Sequence, residues 1–355
     1  MLANSIVNIL YIYRKKPMIR FFENYSLKPH NTFDIEAKAK YFFEFTELDD
    51  LKTFLKSNKT WKNEKLLIVG EGSNILFLND FNGLVIHPNI PGLYPIKEDR
   101  QHIWIQVGAG EIWDEFVKYC VDSQLGGVEN LSLIPGTVGA APVQNIGAYG
   151  QEVCNVIETV KGFDLKTFEE VEFSNEACQF SYRNSVFKKD LKNRVIITSV
   201  VFRLNKFPEF RLDYNKLEDK VNERGEVNLE NIKQAVIEIR SSKLPDVREL
   251  GSAGSFFKNP EVEIEFAEKI EEKFGEMPIY LAGSGKVKIA AGWLVEKAGW
   301  KGYRKDDVGV HGKQALVLVN YGNATGKEIF ELSEQIRKSV LDKFGIDLER
   351  EVNCI

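Results

Sequence analysis

Cysteine is scarce and scattered in this chain of 355 residues: Cys120, Cys154, Cys178 and Cys354 form no C-x-x-C pair. That spacing excludes a zinc ribbon or a dithiol redox motif and predicts reduced, mostly buried thiols in a cytoplasmic protein. Histidine is equally sparse. His30, His87, His102 and His311 make neither an H-E-x-x-H pair nor a facial-triad spacing, so no metal site is expected. No basic block stands out against a net charge of −5, which removes nucleic acid as a partner. No apolar run is long enough to span a bilayer, so no membrane partner is expected. Residues 6–13 are apolar but precede Arg14, Lys15 and Lys16, the reverse of a secretory leader, and no small-residue cleavage site is present. Residues 1–17 are therefore expected to be a disordered or mis-assigned extension ahead of a functional start at Met18.

Nucleotide-binding templates are missing too. A G-x-G-x-x-G fingerprint fails after Gly70 and Gly72, where Ile75 takes the third glycine position, and after Gly108 and Gly110, where Trp113 does. Gly285 and Lys286 resemble the end of a P-loop, but Tyr280 replaces its first glycine and Val287 its magnesium-binding hydroxyl. There is no G-x-S-x-G elbow, no internal repeat and no low-complexity segment.

What is present is 43% hydrophobic and 28% charged, enough apolar material for two or three domains. Residues 134–150 stand out. Gly136, Gly139, Gly147, Gly150, Pro135 and Pro142 sit among small or apolar residues with no charge, whereas exposed loops are usually charged. Such a loop faces something, and its backbone N–H groups suit a flat polar ligand.

Apolar periodicity predicts strands at 40–45, 66–69, 75–78, 103–107, 159–165, 195–204, 315–320 and 348–352. It predicts helices from 46 (capped by Thr46), from 111 (with Ile112, Phe116 and Cys120 inward), across 288–299, and across 325–344. The strand at 66–69 reads as buried on both faces and runs into Gly70, Gly72, Ser73 and Asn74, a tight turn or a phosphate-binding one. Two aromatics bracket Arg183, a surface ion-pair partner or a pocket cation. The charged residues 206–226 mark a domain boundary that carries Tyr214. Gly254, Ser255, Lys258 and Asn259 combine a hydroxyl, a cation and an amide around Phe256 and Phe257; Ser255 alone is as readily a turn residue.

These blocks, in this order, resemble the UDP-N-acetylenolpyruvoylglucosamine reductase family over nearly the whole chain. The resemblance rests on Asn31 to Phe33, Gly70 to Asn74, Ile134 to Gly150, Tyr182 with Arg183, Gly254 to Pro260, and Leu348 to Glu351. It implies an α+β fold of three domains: a two-lobed FAD-binding part of the vanillyl-alcohol-oxidase (PCMH-like) type, residues 18–90 and 91–206, and a C-terminal α+β substrate-binding domain, 207–355. The last strand, about 346–355, would return to the flavin site.

The implied activity is reduction of UDP-N-acetylglucosamine enolpyruvate to UDP-N-acetylmuramate, for peptidoglycan, by a cytoplasmic monomer. Hydride would pass from NADPH to flavin N5 of a tightly bound FAD and on to substrate C3, with Ser255 protonating C2. Arg183 and Glu351 match the residues that polarise the enolpyruvyl carboxylate and stabilise the enol. FAD contacts are implied at Gly70, Gly72, Ser73, Asn74, Pro135, Gly136, Gly139, Ile146, Gly147, Tyr182 and Arg183. Substrate contacts are implied at Tyr149, Tyr214, Arg240, Lys243, Asn259 and Gln314, with Tyr214 marking the subtype whose tyrosine loop folds over the nucleotide sugar. The pattern departs at Arg350 and Asn353, which puts the packing of the final strand around Glu351 in question. A same-fold flavin oxidase would lose the Ser255, Glu351 and Lys243 set, which is present here; a non-catalytic binder of FAD or a nucleotide sugar is the other alternative.

Overall fold

The computed structural model describes residues 20–355, apart from Asn215 and Ser284. The expectation for residues 1–17 lies outside them. Contacts divide the chain into two compact units. One holds Tyr41–Gly70 and Gly83–Ile237, with the first described residues up to Phe22; the other holds Glu23–Lys40, Glu71–Asn82 and Glu238–Ile355.

The first unit has two cores. In one, Phe43, Phe45, Leu51, Phe54, Leu55, Leu84 and Ile86 pack together with Phe163 and Ile196. Helix Leu48–Ser57 covers the sheet here, in which Lys65–Ile68 pairs in parallel with Phe81–Pro88. The Phe43 and Phe54 rings stack with centroids 3.8 Å apart. The helix begins after Glu47, one residue later than the Thr46 cap predicts, and the buried Thr46 hydroxyl has no hydrogen-bond partner. Lys65–Ile68 is also less buried than its apolar run predicts, since Leu66 and Ile68 are half-buried.

The second core lies on a five-stranded antiparallel sheet ordered Glu169–Ser174, Ile157–Asp164, Val195–Asn205, His102–Gly108, Leu93–Glu98. Helix Trp113–Asp122 buries Trp113, Phe116, Val117, Cys120 and Val121 against it. Ile112, expected inward, is the residue before the first turn and is 38% exposed, because Trp113 takes the core position.

The second unit has a four-stranded sheet ordered Gly251–Ser255, Val317–Asn320, Val308–Val310, Arg304–Lys305. Helix Gly326–Phe344 buries Ile329, Leu332, Ile336 and Val340, as its periodicity predicts. Thr325 caps it: its hydroxyl accepts from Glu328 N and the Glu328 carboxylate accepts from Thr325 N, a reciprocal capping box. The stretch 288–299 is not one helix. Lys286–Ile289 is the middle strand of a three-stranded sheet, and helix Ala291–Lys297 starts only after it; alternating Val287 and Ile289 obey strand period before the helical period begins. The final strand is Asn353–Cys354, later than 348–352. All four cysteines are free thiols, and burial pushes Cys178 up to about 12. Among the described residues no helix is long and apolar enough to cross a membrane.

Candidate functional site

In the first unit the glycine loop is pinned to the end of strand His102–Gly108. Gly139 N donates to Ala109 O at 3.0 Å, Val138 N to Glu111 O at 2.8 Å, and Trp113 N to Gly136 O at 3.0 Å. The glycines permit this approach: a Cβ on Gly139 would fall 2.6 Å from that of Ala109, and one on Gly70 2.7 Å from Thr137 Oγ1. The loop is therefore a backbone surface, stacked on strand ends and free of charge.

Around it the chain adopts left-handed backbone at several non-glycine residues: Leu133 (φ 58°), Asn145 (47°), Tyr149 (49°) and Arg183 (53°). Such conformations persist only where surroundings over-determine them. For Arg183 the setting is the two-residue turn Tyr182–Arg183, closed by Ser181 and Asn184 exchanging N–H to O bonds of 3.0 Å. The turn aims Arg183 back at the loop. Its Nη2 donates to Gly147 O at 2.6 Å and its Nη1 to Asn145 O at 3.4 Å, while the guanidinium carbon lies 5.3 Å from the Tyr182 ring centroid. Asn145 is fully buried and ties the same parts together: its amide donates to Ser181 O at 3.2 Å and to the Glu152 carboxylate at 3.0 Å, and its oxygen accepts from Cys154 N at 3.1 Å. Gly147 sits between Arg183 Nη1 and Glu152, each 3.0 Å from any added Cβ.

The second unit assembles three remote motifs. Ser255 ends strand Gly251–Ser255 opposite Val317, beyond an irregularity at Gly254, which is left-handed at φ 70°. Residues 349–351 run beside Phe256 to Lys258: Glu351 N donates to Phe256 O at 2.8 Å and Lys258 N to Glu349 O at 2.9 Å. Asn74 then bridges onward. Its side-chain amide donates to Glu351 O at 3.2 Å, its backbone carbonyl accepts from Asn353 N and from Asn353 Nδ2, each at 3.1 Å, and Asn353–Cys354 pairs in parallel with Ile75–Leu76. The unusual Arg350 turns away, ion-pairing with Glu334 with its guanidinium carbon 4.6 Å from the Phe330 ring centroid.

Asn259 and Gln314 meet at the start of helix Ala291–Lys297. Asn259 Oδ1 accepts from Ala291 N at 3.0 Å, and Gln314 Oε1 would stand 3.1 Å from a Cβ on Gly292. Arg240 and Lys243 occupy the last turn of helix Leu229–Lys243. The Lys243 backbone hydrogen-bonds His311, whose pKa is lowered by burial first and by Lys313 second. Of the implied residues, the first unit thus holds Gly70, Pro135, Gly136, Gly139, Ile146, Gly147, Tyr149, Tyr182, Arg183 and Tyr214. The second holds Gly72, Ser73, Asn74, Arg240, Lys243, Ser255, Asn259, Gln314 and Glu351.

Asn130, Asn145, Arg211 and His311 carry positioning bonds that sequence reasoning did not single out. Asparagine in a loop looks alike whether it is solvated or buried.

An uncharged, glycine-lined backbone loop beside a fixed guanidinium suits a flat, polar, partly anionic group such as a flavin. Residues 39–168 match the model of an FAD binding domain, and residues 246–355 that of the UDP-N-acetylenolpyruvoylglucosamine reductase C-terminal domain. The class is thus an FAD-binding oxidoreductase fold of α+β type with a separate C-terminal domain. The chain belongs to the UDP-N-acetylenolpyruvoylglucosamine reductase family. It is 48% identical to the reductase of that name from Flavobacterium johnsoniae over 94% of this chain and 98% of the relative. The Amoebophilus asiaticus and Bacteroides fragilis reductases are 46% and 44% identical over 94% of this chain, with 98% and 99% of those relatives covered. A crystal structure of the Thermus caldophilus reductase shares the fold, with TM-score 0.66 at 21% identity over 96% of this chain and 99% of that one.

Proposed function

We propose that this protein reduces UDP-N-acetylglucosamine enolpyruvate to UDP-N-acetylmuramate at the expense of NADPH, acting in the cytoplasm as a monomer. The observation that carries the reading is the convergence in one unit of the strand end bearing Ser255, Glu351 and Asn74, through the Glu351 N–H to Phe256 O bond and the Asn74 side-chain amide to Glu351 O. Residues 18–90 and 91–206 serve as the FAD-gripping lobes and 207–355 as the substrate-binding domain, with Tyr214 as the loop tyrosine of its subtype.

Gly70, Gly72, Ser73, Asn74, Tyr182 and the 134–150 loop would hold FAD, which when bound would supply the hydride chemistry between NADPH and C3 of the enolpyruvyl group. This chain supplies the rest. Addition of hydride to C3 leaves an electron pair at C2 that spreads onto the carboxylate. Arg183 binds that carboxylate; two backbone carbonyls already fix the plane of its fork, so little reorganisation accompanies the charge shift. Glu351 stabilises the enol form, either protonated or beside a cation, since two unpaired anions cannot sit together. Ser255 Oγ–H delivers the proton to C2 and completes the CH3–CH product; a hydroxyl suffices because transfer to a carbanion-like carbon runs downhill. Solvent then reprotonates the serine. Tyr149, Tyr214, Arg240, Lys243, Asn259 and Gln314 hold the nucleotide sugar.

Anaerobic stopped flow on the yellow holoprotein tests this. NADPH bleaches the flavin and UDP-N-acetylglucosamine enolpyruvate restores its colour; a flavin that stays reduced after substrate addition sinks the reading. Ser255→Ala keeps the first step and slows the second by roughly 10²–10⁴-fold, the usual worth of a general acid. Equal rates in both steps remove Ser255 from its role.

A further inference from the structure

Two tyrosines assigned above to the nucleotide sugar, Tyr149 and Tyr214, stand edge to face with ring centroids 5.9 Å apart. They come from separate segments. Tyr149 and Gly150 are the central pair of a tight hairpin joining Gly147–Ala148 to Gln151–Glu152, and both are left-handed (φ 49° and 78°), the backbone of a type I′ turn. Tyr214 follows the charged stretch beyond residue 206, in which Arg211 is exposed. Among the described residues no strand pairing joins these segments.

One side chain does. Asn130, 2% exposed, donates from Nδ2 to Tyr149 O at 2.8 Å and to Arg211 O at 2.8 Å. A primary amide has two N–H groups, and each meets one carbonyl. With two carbonyls facing that end of the amide, its orientation is fixed, since the flipped form would set three oxygens against one another. Arg211 adds a second tie, donating from Nη1 to Gly150 O at 3.2 Å. The neighbouring Glu129 is buried and accepts from Gly127 N at 2.6 Å, so the short helix Glu129–Leu131 that carries Asn130 is itself fixed.

We propose that Asn130 is a positioning residue of the nucleotide-sugar site, whose single amide locks the Tyr149 turn and the Tyr214 loop into one aromatic wall. The assignment of the two tyrosines rests on the function proposed above; the latch itself does not. Its loss loosens the Tyr214 loop against the Tyr149 turn while leaving flavin binding and flavin reduction in place.

Asn130→Asp keeps the shape and removes both donors. Expected are retained flavin, flavin reduction by NADPH within about twofold, and a KM for UDP-N-acetylglucosamine enolpyruvate raised about tenfold, the effect of one to two lost buried bonds. In a Tyr214→Ala background the same change adds nothing further, because both act through one wall. An unchanged KM, or full additivity with Tyr214→Ala, overturns the proposal, as does a parallel fall in both half-reactions. Trypsin cleavage after Arg211 and Lys216 supplies a readout that needs no substrate: Asn130→Asp accelerates it severalfold, and equal cleavage rates reject the latch. If the wild-type flavin ignores the enolpyruvyl substrate, the proposed function fails while the proteolysis result still decides the latch. Should Asn130→Asp lose flavin, Arg211→Gln decides: it removes only the exposed tie, and faster cleavage at Lys216 with KM raised two- to threefold upholds the latch, whereas no change in either rejects it.

Discussion

The two units hold their candidate reactive groups by different means. In the first, Arg183 stands on a left-handed turn and is aimed by two backbone carbonyls, with Asn145, also left-handed, bonding both the loop and the turn. In the second, Ser255 and Glu351 are placed by backbone bonds between neighbouring segments, past the irregularity at Gly254, and the Asn74 and Asn353 side chains join Glu351 to the Ile75–Leu76 pair. Strain concentrates where a flexible cation must be immobilised; regular pairing suffices where short side chains sit directly on a strand. The first arrangement depends on atoms that no substitution reproduces, the second on backbone groups that most substitutions leave intact.

That contrast can be broken at three points. The largest effect is expected at Gly139→Val, which forces side-chain carbon into Ala109: flavin is lost on purification and the protein is destabilised by about 1–3 kcal/mol, read from the visible spectrum and thermal unfolding. A yellow, normally stable variant would show that the loop yields and is not a fixed backbone surface. Next comes Arg183→Lys. A point-charge ammonium cannot hold two carbonyls and a carboxylate in one plane, so substrate-driven flavin reoxidation falls about a hundredfold while NADPH-driven reduction is little changed. A drop below threefold would mean that charge alone, without the aimed fork, suffices. The smallest effect is expected at Arg350→Met. Glu351 is placed by its own N–H to Phe256, so losing the Glu334 pair costs less than about 1 kcal/mol and alters reoxidation by less than twofold. A tenfold fall would show that the Glu351 placement depends on that side chain and not on the ladder.

The same contrast explains what the sequence discloses. Regular elements announce themselves by period: helix Gly326–Phe344, its Thr325 and Glu328 box and its inward Ile329, Leu332 and Ile336 follow from spacing alone. Misreadings fall where two periods adjoin, as at 286–297, or where one apolar residue competes with another for the core, as Trp113 displaces Ile112. The glycine loop is recognisable because glycine at a close approach has no substitute. Asn130 and Asn145 are not recognisable, since what makes them matter is a tie to a distant segment: Asn130 to Tyr149 across 19 residues and to Arg211 across 81, Asn145 to Ser181 across 36. Nor does any local signal indicate that Glu351 lies beside Phe256.

Strand Ile75–Leu76 waits a long time for its partner. Asn74 is bonded to a residue 277 positions further on, so at the usual pace of translation its mate emerges roughly 15–60 s later. During that interval the first unit's sheets, whose strands lie closer in sequence, can already close. The unit that carries Ser255 and Glu351 is therefore the last to be completed, and a nascent chain that already has the Gly139 loop and Arg183 still lacks the two groups proposed to finish the reaction.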